Sequence, residues 1–201
     1  MNITELAALR ALYVAPKERA ILKQLSALDV HCRRFIGLSP FVVVATAGAA
    51  GAMDASPRGG VPGFVEVLDE HTLLIPDAPG NNRLDSLENI VASGSVGLLF
   101  LVPGVDETLR VNGSAVLSQA AEDIARCSNE RRAPVLVIRV TVREAYLHCA
   151  KALMRSALWS PAARIDRSLL PTAGQMLIDH TGIVTAPETQ EAMLRRYAPD
   201  L

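Results

Sequence analysis

The apolar positions change their period along the chain. Residues 4–13 and 17–36 carry them at three- and four-residue steps, with Ile21, Leu25 and Leu28 on one face and Lys17, Glu18, Arg19 and Lys23 around them. That spacing predicts helices. Ser39-Pro40 ends the region, because the residue before a proline is pushed out of the α conformation. The pattern then shortens. Phe41–Ala47 is a Val-rich run bounded by the small residues Gly48–Gly51, and Phe64–Leu68 and Thr72–Ile75 flank a turn at Asp69-Glu70-His71. Val96–Val102, Glu107–Leu117 and Val135–Tyr146 are further apolar or alternating runs. Together these predict five or six strands.

One helix is expected from Asn82 to about Ala92, with Asn82 as N-cap and Asp85 as the acidic member of a capping box. Another is expected at Ala120–Asn129, and three more at 149–159, 171–180 and 187–197. Short turns without regular βαβ alternation indicate an antiparallel barrel or sheet, so the class is α+β. A single domain of 201 residues is expected, with N-terminal helices in 1–38, a β core in 39–148 and C-terminal helices in 149–201.

Composition narrows the function. Half of the residues are apolar and 20% are charged, which suits a sizeable core. Lys plus Arg number 20 against 21 Asp plus Glu, a net charge of −1, so no basic field exists to hold nucleic acid or an anionic membrane. The longest apolar run, Val96–Val102, falls far short of a membrane span. With three cysteines and no apolar leader after Met1, a cytoplasmic protein is expected.

Candidate chemistry concentrates in two segments. Gly80, Asn81, Asn82 and Arg83 open a helix, where unpaired amides, the helix dipole and a guanidinium suit a phosphate, and Ser86 lies one turn on. The same residues also read as ordinary capping with a solvated arginine. In Glu107–Gly113, Thr108, Arg110 and Asn112 share one strand face, which either meets solvent or lines a ligand site. Arg58, after Ser56-Pro57, is open to the same two readings. The pairs His31-Cys32 and His148-Cys149 lack metal-ligand spacing, so no metal is expected and the residues read as structural histidines and small buried thiols. Gly-x-Ser-x-Gly, Walker and Gly-x-Gly-x-x-Gly motifs do not occur.

Several longer motifs carry a resemblance. Ser39-Pro-Phe41, Ser56-Pro-Arg-Gly59, Pro62-Gly-Phe-Val65, Ile75-Pro-Asp-x-Pro-Gly-Asn-x-Arg-x-Asp-Ser-Leu-x-Asn-Ile90, Val96-Gly-Leu-Leu-Phe-Leu-x-Pro-Gly104, Glu107-Thr-Leu-Arg-Val-Asn-Gly113 and His148-Cys-x-Lys-Ala-x-x-Arg-Ser-x-Leu-Trp159 span residues 25–161. This set resembles the pyridoxamine 5′-phosphate oxidase-like flavoproteins, and most of all their mycobacterial-type FMN-dependent branch.

The resemblance implies an antiparallel split β-barrel with flanking helices, working as a homodimer with FMN at the interface. It places Asn81, Asn82, Arg83 and Ser86 around the FMN phosphate, with Ser56 and Arg58 in the same motif set. Phe64, Val65, Pro76 and Asp77 fall beside the isoalloxazine and ribityl chain, and Thr108 and Arg110 face the flavin. Arg58 or Arg110 near the pyrimidine edge would stabilise the reduced anion. Lys151, Arg155 and Ser156 either contact FMN or substrate from the second subunit, or belong to an amphipathic helix over the dimer contact.

Asn82 stands where branch members often carry a second arginine, and Gly60 where they often carry aspartate. The final residues, Leu194–Leu201, lack the Trp- and Arg-bearing segment that closes over pyridoxamine phosphate, so pyridoxal phosphate synthesis is not expected. The implied function is FMN-dependent redox chemistry on a small molecule. The alternatives are a non-catalytic flavin carrier or sensor, and a deazaflavin- or haem-using barrel of the same fold.

Overall fold

A computed structural model describes residues 2–49, 51–78, 80–128, 133–183 and 185–200. The chain forms two compact units, residues 1–153 and 154–201.

Among the described residues the first unit holds three N-terminal helices, α1 (Leu6–Ala11), α2 (Glu18–Leu22) and α3 (Val30–Leu38), and seven strands. The strands are β1 (Phe41–Ala47), β2 (Met53–Gly59), β3 (Glu66–Val67), β4 (Thr72–Pro76), β5 (Ser95–Leu101), β6 (Thr108–Ser118) and β7 (Val137–His148). Helix α4 (Asp85–Ser93) lies between β4 and β5, and α5 (Ala121–Cys127) between β6 and β7. All neighbouring strands pair antiparallel in the order β2-β1-β5-β6-β7-β4-β3.

Val42 and Val44, Leu73 and Ile75, Leu98 and Phe100, Leu109 and Val111, and Ile138 and Val140 all enter one core cluster. One face of five strands therefore closes on a common centre, and the sheet curls into a barrel split between its edges β2 and β3. The connection through α4 crosses from the β4 side to the β1 side, and Leu87 and Ile90 of α4 join that same core. The fold is thus the expected α+β split barrel with flanking helices.

Boundaries differ where tertiary pairing outweighs local pattern. The helix expected over 17–36 breaks at Leu22, because Leu25 leaves it to pair with Ala145 of β7, N to O at 2.9 Å in both directions. Asp29 then caps α3 by accepting from the Cys32 amide at 2.7 Å. Strand β2 went unassigned in the sequence pattern. It carries Pro57 and no apolar run, which an edge strand tolerates because its outer N–H groups need no partner.

Of the two His-Cys pairs, Cys32 is buried, and burial pushes its thiol up to about 11, whereas Cys149 is exposed rather than buried as expected. Among the described residues no group of three or more His, Cys, Asp or Glu is placed to hold a metal. No described helix is long and apolar enough to cross a membrane.

The second unit begins within α6 (Lys151–Ser156) and contains α7 (Ala173–Thr181) and α8 (Gln190–Tyr197). Thr172 and Thr189 cap α7 and α8 through their hydroxyls, and Gly182 ends α7 with φ +67°.

Candidate functional site

Strand β2 carries polar residues at alternate positions. Asp54, Ser56 and Arg58 pair in register with Thr46, Val44 and Val42, so they share the face of the sheet that turns toward the core. They sit at the barrel's open edge, half-buried, and α4 packs over them. From α4 comes Ser86, 2% exposed.

The hydrogen bonds tie these four residues together. The Ser56 hydroxyl donates to the Asp54 carboxylate at 3.0 Å, and the Ser86 hydroxyl donates to Asp54 Oδ2 in a short contact. Arg58 Nη2 reaches Ser86 Oγ at 3.4 Å, and Nη1 donates to the Pro57 carbonyl at 3.0 Å. The structure therefore brings together Ser56, Arg58 and Ser86, and it adds Asp54, which the sequence reading did not select. Its signal was the two-residue alternation Asp54, Ser56, Arg58, legible only once β2 is known to be a strand.

The start of α4 differs from expectation. Asn82 is not its N-cap: it adopts φ +58°, and the helix begins at Asp85 behind Leu84, with no side-chain cap. Asn81 Oδ1 instead accepts from the Arg83 amide at 3.0 Å, so the local side-chain bond goes to the turn rather than to the helix. Leu84, at the N-cap position, offers no side-chain acceptor to the first turn of α4. Arg83 is exposed and grips Asp85 through Nε and Nη2 at 2.9 and 3.2 Å. That carboxylate raises the arginine's affinity for its proton and is itself held below the usual carboxylate range.

Thr108, Arg110 and Asn112 lie on the opposite face. Their neighbours Leu109 and Val111 enter the core, so these three point away from it, beside His148, Tyr146 and Glu144 of β7. Arg110 Nη1 donates to the Tyr146 hydroxyl at 2.7 Å, and the Asn112 amide donates to Glu144 at 2.6 Å. The predicted site residues thus divide between two faces of one sheet.

The other predicted residues are placed as follows. Phe64 and Val65 precede β3 rather than standing on it, and the Val65 side chain is in the core. What Val65 can offer a ligand is its backbone. Pro76 ends β4, and Asp77 extends the ladder by one bond, its amide donating to the Leu136 carbonyl at 3.1 Å. Lys151 opens α6 on the surface. Arg155 and Ser156 end that helix within the second unit, also exposed. Ala157, at φ +49°, follows the end of α6, so the helix expected over 149–159 is shorter than predicted.

Residues 28–149, more than half of the chain, match the family described as pyridoxamine 5′-phosphate oxidase. Among solved structures, HupZ of Group A Streptococcus is similar over 60% of this chain and 93% of its own, at 15% identity and a TM-score of 0.50. A histidine-to-alanine variant of that protein gives the same score and identity over 98% of its length. An FMN-binding protein from Syntrophomonas wolfei superposes over 58% of this chain and 83% of its own, at 12% identity and a TM-score of 0.45. No curated protein matches the sequence. At such identities the likeness to HupZ is one of fold.

Proposed function

This chain belongs to the pyridoxamine 5′-phosphate oxidase family, and we propose that it is an oxidoreductase that binds FMN as a homodimer. The observation that carries the reading is the group formed by Ser56, Arg58 and Ser86 beside the uncapped start of α4. Two hydroxyls, a guanidinium and the first turn of α4 make a donor set suited to a phosphate monoester. Asp54 accepts from both hydroxyls. A bound phosphate competes with Asp54 for the same donors.

Bound there, FMN supplies one- or two-electron transfer through its isoalloxazine ring. The residues do the rest. Ser56, Arg58 and Ser86 hold the phosphate, with Arg83, Asn81 and Asn82 at its solvent side. Phe64, Val65, Pro76 and Asp77 lie along the ring and ribityl chain. Thr108 and Arg110 face away from the core, so they reach the flavin of a second copy rather than the one held by their own Arg58. The division of the site between two sheet faces is what supports the homodimer. Lys151, Arg155 and Ser156 are assigned to the same partner contact.

The surface beside Arg110 has the character such an interface needs. Leu99 pairs directly with Arg110, Val43 with Leu99, and Pro57 with Val43, an apolar row on the face away from the core. A row of that kind is covered when two copies meet.

Freshly purified protein is expected to show the two visible bands of oxidised flavin and to release FMN on denaturation. Added nicotinamide donors are expected to bleach those bands. A colourless protein that takes up no FMN overturns the assignment, and a coloured one that no donor reduces leaves a flavin carrier in its place.

Asp54 gives a second check. Its carboxylate lies where the phosphate is placed, so Asp54→Asn is expected to tighten FMN by about 1 kcal/mol, the water-screened repulsion of unit charges about 4 Å apart. Weaker binding in that variant, measured by quenching of flavin fluorescence, would show that Asp54 organises the donors rather than opposing the anion.

A further inference from the structure

The face of β6 and β7 that turns from the core carries a polar group with no part in phosphate binding. Lys23, at the end of α2, has Nζ 5.1 Å from the centre of the Tyr146 ring and donates to the Leu147 carbonyl at 2.8 Å. Arg110 donates to the Tyr146 hydroxyl and has its guanidinium carbon 5.3 Å from the same ring. His148 lies with its ring 5.0 Å from that of Tyr146, tilted by 47°. Its Nε2 is buried and has no hydrogen-bond partner among the described residues.

The electrostatics are one-sided. The acid on this face of β7 is Glu144, and it is engaged by the amides of Asn112 and Gln24. Two cations therefore flank one phenol without a carboxylate between them. Burial, and then the charges of Arg110 and Lys23, hold the His148 imidazole below its ordinary pKa, so it is neutral at pH 7 and one ring nitrogen carries a proton. A buried imidazole nitrogen without a partner is costly unless something binds it. The apolar row of Leu99 and Val43 adjoins Arg110 on the same face.

We propose that Lys23, Arg110, Tyr146 and His148 bind the carboxylate of a small organic acid whose apolar body lies along Leu99 and Val43, in the seam that the second copy closes. This acid is the reactant other than flavin, and the assignment to a reactant rests on the reading that Arg110 faces the flavin. The phenol of Tyr146 and the Nε2–H of His148 donate to the carboxylate, and Lys23 and Arg110 neutralise it.

Benzoate is the probe, titrated into the full chain with and without FMN and followed by calorimetry and by the C2 proton of His148 in NMR spectra. Benzoate is expected to bind and to move the His148 titration to higher pH, because an adjacent carboxylate favours the imidazolium. Lys23→Met and Tyr146→Phe are each expected to weaken benzoate by about tenfold, the scale of a hydrogen bond to a charged group. Lys23→Met leaves FMN affinity and melting temperature unchanged. A His148 resonance that ignores benzoate, or equal benzoate affinity in both variants, overturns the proposal. Flavin uptake is read separately from the visible spectrum. A protein without flavin thus removes the proposed function, while the flavin-free titration still decides the carboxylate site.

Discussion

Arg58→Ala is expected to weaken FMN binding by about 1.5–3 kcal/mol, the usual range for hydrogen bonds to a charged group. Arg58 is half-buried on β2, on the face that α4 covers, and its guanidinium already reaches Ser86. Its geometry therefore needs little reorganisation to meet an anion at the start of α4, and a partly buried charge is screened less than an exposed one. Arg83→Ala is expected to cost less. That side chain is exposed and engaged by Asp85, so an anion must compete with an existing partner. Because β2 is an edge strand and Arg83 is exposed in the loop before α4, melting temperatures of both variants should stay near that of the parent protein. Titration of flavin-free protein with FMN, read by fluorescence quenching, gives the two affinities. An Arg83 effect larger than that of Arg58 would move the phosphate out along the loop, away from β2.

That ranking reverses what the linear sequence suggests, and the reason lies in strand β2. The loop Gly80–Arg83 stands beside a helix start and carries recognisable phosphate chemistry, so Arg83 was legible as a ligand. Both arginines were open to a solvated reading, but Arg58 also lacked a recognisable element, since Met53–Gly59 has no apolar run to mark it as a strand. At the open edge of a split barrel the core-side positions need not be apolar, because α4 supplies a polar partner in Ser86. The strands β1, β5, β6 and β7 were legible for the opposite reason: they are buried on at least one face and read as Val- and Leu-rich runs. The α+β class and an antiparallel barrel or sheet followed from those runs, the hairpin at 64–75 and the short turns between them.

The division of the site between two faces was beyond any local pattern. Alternation in Glu107–Gly113 puts Thr108 and Arg110 on one side of β6, but which side meets the core depends on pairing with β5 and β7. Lys23 is a sharper case. Its neighbours read as helix, yet the pairing of Leu25 with Ala145 carries the end of α2 across β7 and sets Lys23 over Tyr146. A contact between residues so far apart in sequence leaves no periodic trace in either segment.

Gly113→Ala is expected to destabilise the protein by about 1–3 kcal/mol, as for extra atoms forced into a packed site. A Cβ at Gly113 would stand 2.0 Å from the Thr141 carbonyl oxygen and 3.0 Å from its carbon. Both are backbone atoms of the paired strand and cannot rotate away. The position adjoins the irregularity in the β6–β7 ladder, where the register shifts between Asn112 and Gly113. That shift has a consequence for the outer face. Ile138, Val140 and Val142 point into the core at even positions, but beyond the shift the core residue is Ala145, an odd one. The extra residue in β7 thus turns Glu144, Tyr146 and His148 outward, beside Asn112, Arg110 and Thr108. Without it, the phenol that meets Arg110 would face the barrel interior. Urea unfolding gives the cost, and Gly37→Ala is the control with the opposite sign. Gly37 is in α3 with open space where its Cβ would stand, so alanine there should stabilise by about 0.5–1 kcal/mol. If Gly113→Ala is as stable as the parent, β7 can move off β6 at this point. The outward placement of Tyr146 and His148 would then be a preference that the ladder does not enforce.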